Sequence, residues 1–159
     1  EGGFGKLMAA FNVERCGNAT MALGIAQGSY ELALEYVKVR QQFGRDLCEF
    51  QGVQWMLAEM AVKLDAARLL IYRATANAAA GFPSILESSM AKMYANEISK
   101  EVCDSALQLH GAYGYSREFP LERMYRDVRA WSIAGGTVQI LRNMIAQQIL
   151  NRRFSQRKP

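Results

Sequence analysis

Histidine, proline and cysteine are all scarce in this 159-residue chain, which has one His, three Pro and three Cys. A single histidine, His110, excludes a His-based metal cluster or a catalytic triad assembled from this chain, and no metal is expected. His110 reads instead as an ordinary helix-end residue, favoured there by the C-terminal dipole. The three cysteines, Cys16, Cys48 and Cys103, include no pair at metal-ligand spacing. They exclude a disulfide framework, suit a reducing compartment and read as buried or bland thiols. No apolar run approaches the roughly 18 residues of a membrane span, and no basic segment leading into an apolar stretch marks the start. Neither a membrane protein nor an obvious secretory precursor is expected. Charge of one sign is not in great excess, the formal net charge being +4, and much of it sits in Arg152, Arg153, Arg157 and Lys158. That cluster reads as a solvated tail, and no nucleic-acid partner is expected.

What is present is apolar periodicity. Half of the residues are hydrophobic, and they recur at three- and four-residue spacing with almost no strand alternation, which predicts an all-α fold. The first stripe runs Met8, Phe11, Ala19, Ala22, Ala26, Tyr30, Ala33, Val37 and decays at "QQFGRD", where Gly44 can end a helix. The second runs Val53, Leu57, Met60, Leu64, Ala67, Ile71, Ala74, Ala78 and stops at Gly81, before Phe82 and Pro83. Ser84 with Glu87 makes a capping box that opens a third helix, carrying Ala91, Ala95, Ile98, Val102 and Leu109 on one side. "GAYGYSREFP" reads as a loop, "LERMYRDVR" as a short amphipathic helix, and a last helix begins at Thr137 with Val138, Leu141, Ile145 and Ile149 inward. Long helices joined by short connections predict one antiparallel, up-down four-helix bundle over residues 1–159.

Three local features stand out. Arg15 falls on the apolar stripe of the first helix, with Glu14 at its edge. A charge there is either paired, snorkelling or lining a cavity. Gly135 and Gly136 precede Thr137 at a helix start, where free N–H groups and the helix dipole can receive an anion, or where Thr137 can cap its own helix. Gln108 and the loop "HGAYGY" combine small residues with Tyr113 and Tyr115, which lets a backbone approach a ligand closely or lets the rings simply pack.

Taken in order, Arg-x-x-Phe-Gly, Phe-Gln-x-x-Gln, Gln-x-x-Gly-x-x-Gly-Tyr, Glu-x-Pro-x-Glu-Arg, Arg-Asp and Gly-Thr-x-x-Ile make this sequence resemble the C-terminal helical domain of the acyl-CoA dehydrogenase family along nearly its whole length. The resemblance implies a fragment, preceded in the parent by an N-terminal helical and a middle β domain, with "EGGFGKLMAAFNVER" near the junction. It also implies FAD, held jointly with a neighbouring copy in a homotetramer or homodimer. Arg40, Phe43 and Gln51 would meet the adenosine diphosphate part, Gln108, Gly111 and Ala112 would cover it, and Thr137 and Gln139 would lie at the flavin. Ala112 stands where the family usually has a second glycine.

The Gly-Gly-Thr turn matches the family's Glu-Gly-Thr turn, whose glutamate removes the α-proton of the acyl-CoA. Here that position is Gly135. A subset resembling isovaleryl-CoA and long-chain acyl-CoA dehydrogenases carries its base on the first helix of this domain beside an arginine, and Glu14 next to Arg15 matches that arrangement. The resemblance therefore implies Glu14 as a desolvated base with raised pKa, and the Gly135 N–H as donor to the thioester oxygen. Asn12, Val13, Arg15 and Gly136 would line the substrate. Expected partners are an acyl-CoA and an electron-transferring flavoprotein, in a bacterial cytoplasm or mitochondrial matrix. The expected reaction is oxidation to a trans-2-enoyl-CoA. An enoyl-CoA reductase, a desulfinase and a non-catalytic scaffold are the alternatives.

Overall fold

The computed structural model describes residues 3–78 and 81–155. Among them are six helices: α1 (Gly3–Val39), α2 (Gln51–Ala76), α3 (Ile85–His110), α4 (Ala112–Tyr115), α5 (Leu121–Trp131) and α6 (Val138–Ile149). The only strands among the described residues are the two-residue β1 (Gln41–Gln42) and β2 (Arg45–Asp46), which pair antiparallel. The fold is all-α.

α3 is central and packs on α1, α2, α5 and α6. It runs beside α1 in the same direction, with Asn18 against Asn96, Ser29 against Cys103 and Tyr36 against His110. α2 returns the other way, pairing Lys63 with Glu101 and Arg73 with Glu87. α5 also opposes α3, with Phe119 near His110 at one end and Trp131 bonded to Asn96 at the other. The fourth position of the bundle is thus shared, α5 lying against α1 and α3 while α6 packs chiefly on α3.

Small residues set this packing. Ala19, Ala22, Ala26, Ala33, Ala67, Ala74, Ala91, Ala95 and Ala106 are all fully buried, so the helix backbones approach closely. Met60, Leu64, Val102, Leu121 and Leu141 fill the remaining space, and truncating a side chain such as Leu64 to Ala costs about 2–5 kcal/mol.

Several boundaries depart from the periodicity. α2 ends at Ala76, capped by the Asn77 N–H on Arg73 and Thr75 carbonyls, short of Gly81. The expected loop "GAYGYSREFP" contains the single turn α4. Ile149 is 64% exposed and Ile145 only half-buried, in keeping with α6 packing chiefly on α3 alone among the described residues. Ser84 caps α3 as expected, its Oγ accepting from the Glu87 N–H at 3.1 Å.

Cys16 and Cys103 are buried free thiols, and Cys48 is half-buried. Burial pushes the Cys103 thiol up to about 11, opposed by its contact with Ser29. In the basic tail, Phe154 stands among the cations and Arg152 lies over its ring at 5.3 Å, whereas Arg157 and Lys158 lie outside the described residues. No helix among the described residues is long and apolar enough to cross a membrane.

Candidate active site

Two rows of polar side chains face each other where α1 meets the first half of α3. Glu14 and Asn18 stand one turn apart on α1, Lys92 and Asn96 one turn apart on α3, so each pair shares a face. Lys92 is fully buried, and its Nζ donates to the Ala134 carbonyl at 2.6 Å and the Gly136 carbonyl at 3.1 Å. Asn96 donates through Nδ2 to the Trp131 carbonyl at 2.9 Å and to Asn18 Oδ1 at 3.2 Å. Together they hold the connection between α5 and α6 against the bundle.

Gly135 and Gly136 lie in that connection at φ 61° and 101°. A Cβ on Gly135 would stand 2.9 Å from both carboxylate oxygens of Glu14 and 3.0 Å from Lys92 Nζ. The sequence therefore places a carboxylate from α1 at the root of a missing side chain on the turn. The Glu14 carboxylate has no hydrogen bond or ion pair among the described residues. The expected desolvation is not supplied by the described residues, however: Glu14 is solvent-exposed.

Arg15 is buried, as its place on the stripe requires, but among the described residues no carboxylate forms an ion pair with it. Its Nη1 donates to Asn12 Oδ1 at 2.6 Å, and Asn12 Nδ2 donates to the Pro83 carbonyl at 3.0 Å. Asn12 is thus turned inward and reaches the site through Arg15, and Arg15 Nε is left without a partner. Burial lowers the pKa of both the Arg15 guanidinium and the Lys92 ammonium, with Glu14 opposing in each case. Val13 is exposed at the edge of the site, and Gly136 contributes the carbonyl that Lys92 holds.

A second cluster lies at the other end of α3. Arg40, Gln108, Gly111 and Ala112 line one cleft of about 440 Å3 together with Tyr36 and Tyr113. The Arg40 guanidinium lies 5.7 Å from the Tyr113 ring centroid and pairs with no carboxylate among the described residues. His110 is buried beneath, stacked on Tyr36 at 4.2 Å, its Nδ1 bonded to the Ala106 carbonyl at 2.8 Å. Burial lowers its pKa despite that bond. Phe43 is outside the cleft, at the tip of the β1–β2 hairpin, with φ 54° and 94% exposure. Gln51 opens α2 and is exposed.

Thr137 caps α6, its Oγ1 accepting from the Ile140 N–H at a long 3.4 Å, and Gln139 is exposed two residues on. They stand near Lys92. From Lys92 to Gln108 is sixteen residues of α3, about 24 Å at 1.5 Å per residue. The structure divides the expected cofactor residues into these two groups. Among the described residues, no group of three or more His, Cys, Asp and Glu could hold a metal ion.

Sequence reasoning missed Lys92 and Asn96. Their signal is a buried polar row, Ser88, Lys92, Asn96 and Ser99, at helical spacing beside the alanine stripe of α3.

The family model described as "Acyl-CoA dehydrogenase, C-terminal domain" matches residues 1–150. The chain belongs to the acyl-CoA dehydrogenase family. It is 52% identical over 158 residues to a 3-sulfinopropanoyl-CoA desulfinase of Paraburkholderia xenovorans, spanning 99% of this chain and 40% of that protein. It is 43% identical over 150 residues to a subunit of the caffeyl-CoA reductase-Etf complex of Acetobacterium woodii, 94% of this chain and 40% of that one. The butyryl-CoA dehydrogenase of Megasphaera elsdenii shares the fold with a TM-score of 0.90 and 36% identity, covering 94% of this chain and 39% of that structure. The chain spans about two fifths of the length of these relatives, which are named as a desulfinase, a subunit of a reductase complex and a dehydrogenase.

Proposed function

We propose that this chain is the C-terminal domain of an FAD-dependent acyl-CoA dehydrogenase in which Glu14 removes the α-proton of an acyl-CoA thioester. The observation that carries the reading is the Glu14 carboxylate, which accepts no hydrogen bond among the described residues and stands 2.9 Å from where a side chain on Gly135 would begin. A carboxylate that accepts no hydrogen bond from the described residues keeps its lone pairs for the substrate proton. The Gly135 N–H lies beside it and donates to the thioester oxygen as enolate charge develops, a contribution of about 3 kcal/mol for one preorganised donor. Arg15, buried and held by Asn12, keeps positive charge next to the base without neutralising it in an ion pair.

The donor sets fit FAD. Arg40 offers a guanidinium free of carboxylates to a pyrophosphate, in a cleft floored by Gly111 and Ala112. Thr137 and Gln139 stand at a helix N-terminus suited to electron-rich flavin oxygens. FAD, when bound, accepts the β-hydrogen as hydride. The separation of the two groups along α3 favours a homotetramer or homodimer in which one copy supplies Arg40, Phe43, Gln51 and Gln108 and another Thr137 and Gln139 to each flavin. An electron-transferring flavoprotein is the partner that removes the electrons. Bacterial relatives support a bacterial cytoplasm.

A second reading is favoured by the 52% identity to a desulfinase and by the absence of a carboxylate on residue 135. On that reading the parent cleaves the C–S bond of 3-sulfinopropanoyl-CoA, with water consumed and propanoyl-CoA and sulfite formed. The test is anaerobic mixing of the full-length parent with saturated acyl-CoAs and, separately, with 3-sulfinopropanoyl-CoA. Flavin bleaching by saturated chains that Glu14→Gln suppresses supports dehydrogenation; sulfite release without bleaching, unchanged by Glu14→Gln, supports desulfination and overturns the leading role of Glu14.

A further inference from the structure

Lys92 is an expensive residue for a purely structural task. A fully buried ammonium loses its hydration, and a hydrophobic side chain of similar length would fill the same space without that cost. What Lys92 adds is two contacts on one turn, the carbonyls of Ala134 and Gly136, which flank Gly135 on either side. Peptide groups are planar and trans, so a carbonyl and the following N–H point in opposite directions. Holding the Ala134 carbonyl toward α3 therefore turns the Gly135 N–H away from α3, and holding the Gly136 carbonyl does the same for the Thr137 N–H. Gly135 would otherwise be poorly determined, since glycine at φ 61° has many accessible conformations. Its N–H has no acceptor among the described residues.

We propose that Lys92 is a positioning residue, whose grip on the Ala134 and Gly136 carbonyls aims the free Gly135 N–H at the thioester oxygen and polarises it as a donor. The inference rests on the reading of Gly135 as the oxyanion donor. It assigns to α3 the task of orienting the turn, and to the ammonium a second effect: a cation on the carbonyl end of a peptide strengthens the N–H end, because linked hydrogen bonds polarise one another. Asn96 assists one turn along by fixing the Trp131 carbonyl where the turn leaves α5. Glu14 is the base and Lys92 touches no reacting atom.

The test uses the flavin-loaded full-length parent and acetoacetyl-CoA, whose bound enolate is read by its absorbance as pH is varied. This equilibrium needs no catalytic base. The wild type is expected to lower the pKa of the bound probe below that of the free thioester. Lys92→Met is expected to weaken enolate formation about 10- to 100-fold with flavin content unchanged, whereas Glu14→Gln is expected not to weaken it. Lys92→Gln, whose amide keeps one uncharged donor, is expected to give a smaller loss and serves if the Met variant releases flavin. If both Lys92 variants titrate like wild type, the proposal is overturned; suppressed turnover in Glu14→Gln would then leave the base assignment standing. A wild type that does not lower the probe's pKa would overturn the Gly135 donor and the role of Lys92 together.

Discussion

The carboxylate of Glu14 occupies the space at which a side chain on Gly135 would start, 2.9 Å from the Cβ position. One helix thus delivers to the turn, from across the bundle, a group that the turn itself lacks. The two positions compete for the same space.

That competition makes position 135 sensitive to a single methyl group. Gly135→Ala forces an alanine into the left-handed region and pushes aside the Glu14 carboxylate and the Lys92 ammonium. The exposed Glu14 end yields readily and the held Lys92 ammonium need give only a few tenths of an ångström, so the expected loss is about 1–2 kcal/mol, mostly from the backbone. Urea unfolding monitored by circular dichroism checks it, and a variant as stable as wild type contradicts the geometry.

How far the sequence led depends on the kind of contact. The helices were legible because burial repeats at helical spacing, and Arg15 stood out because it interrupted a stripe. Ile149 was misplaced because periodicity marks an apolar face without saying whether a neighbour covers it. Lys92 was overlooked because a lysine in a helix is ordinarily solvated; the central place of α3, packed on α1, α2, α5 and α6 among others, buries the face that carries it. The division of Arg40 and Thr137 between opposite ends of α3 depends on tertiary geometry that no local motif carries.

Phe43 pays for its exposure in backbone strain. It and Gly44 both have positive φ at the tip of a two-residue hairpin, a turn that favours Asn-Gly. With the ring 94% exposed, little packing is lost on substitution. Phe43→Asn is expected to stabilise the domain by about 1 kcal/mol while weakening FAD retention in the full-length parent. Thermal unfolding and flavin released on gel filtration check the two halves, and a variant that is more stable yet holds flavin as well as wild type removes Phe43 from the cofactor site.

His110 predicts a pH dependence. Burial depresses its folded-state pKa below the ordinary 6.5. Between the folded and unfolded pKa values the unfolded state binds more protons, so stability rises with pH. The contribution is fully present above about 6.5 and is lost as pH falls through the folded pKa. Comparing unfolding free energies at pH 7.5 and pH 5 for wild type and His110→Gln checks this. The expected result is a steeper acid loss in wild type; equal slopes would contradict a buried neutral imidazole.

Exchange at the α-carbon tests Glu14 as the base most directly, because it requires no net reaction. The full-length parent, with its flavin reduced so that hydride cannot leave, is incubated in D2O with propanoyl-CoA, and deuterium uptake at the α-carbon is followed by NMR. Glu14→Gln should slow uptake about 100- to 10,000-fold while flavin stays bound. Uptake at the wild-type rate in Glu14→Gln would show that another group takes the proton, and the assignment of Glu14 would fail.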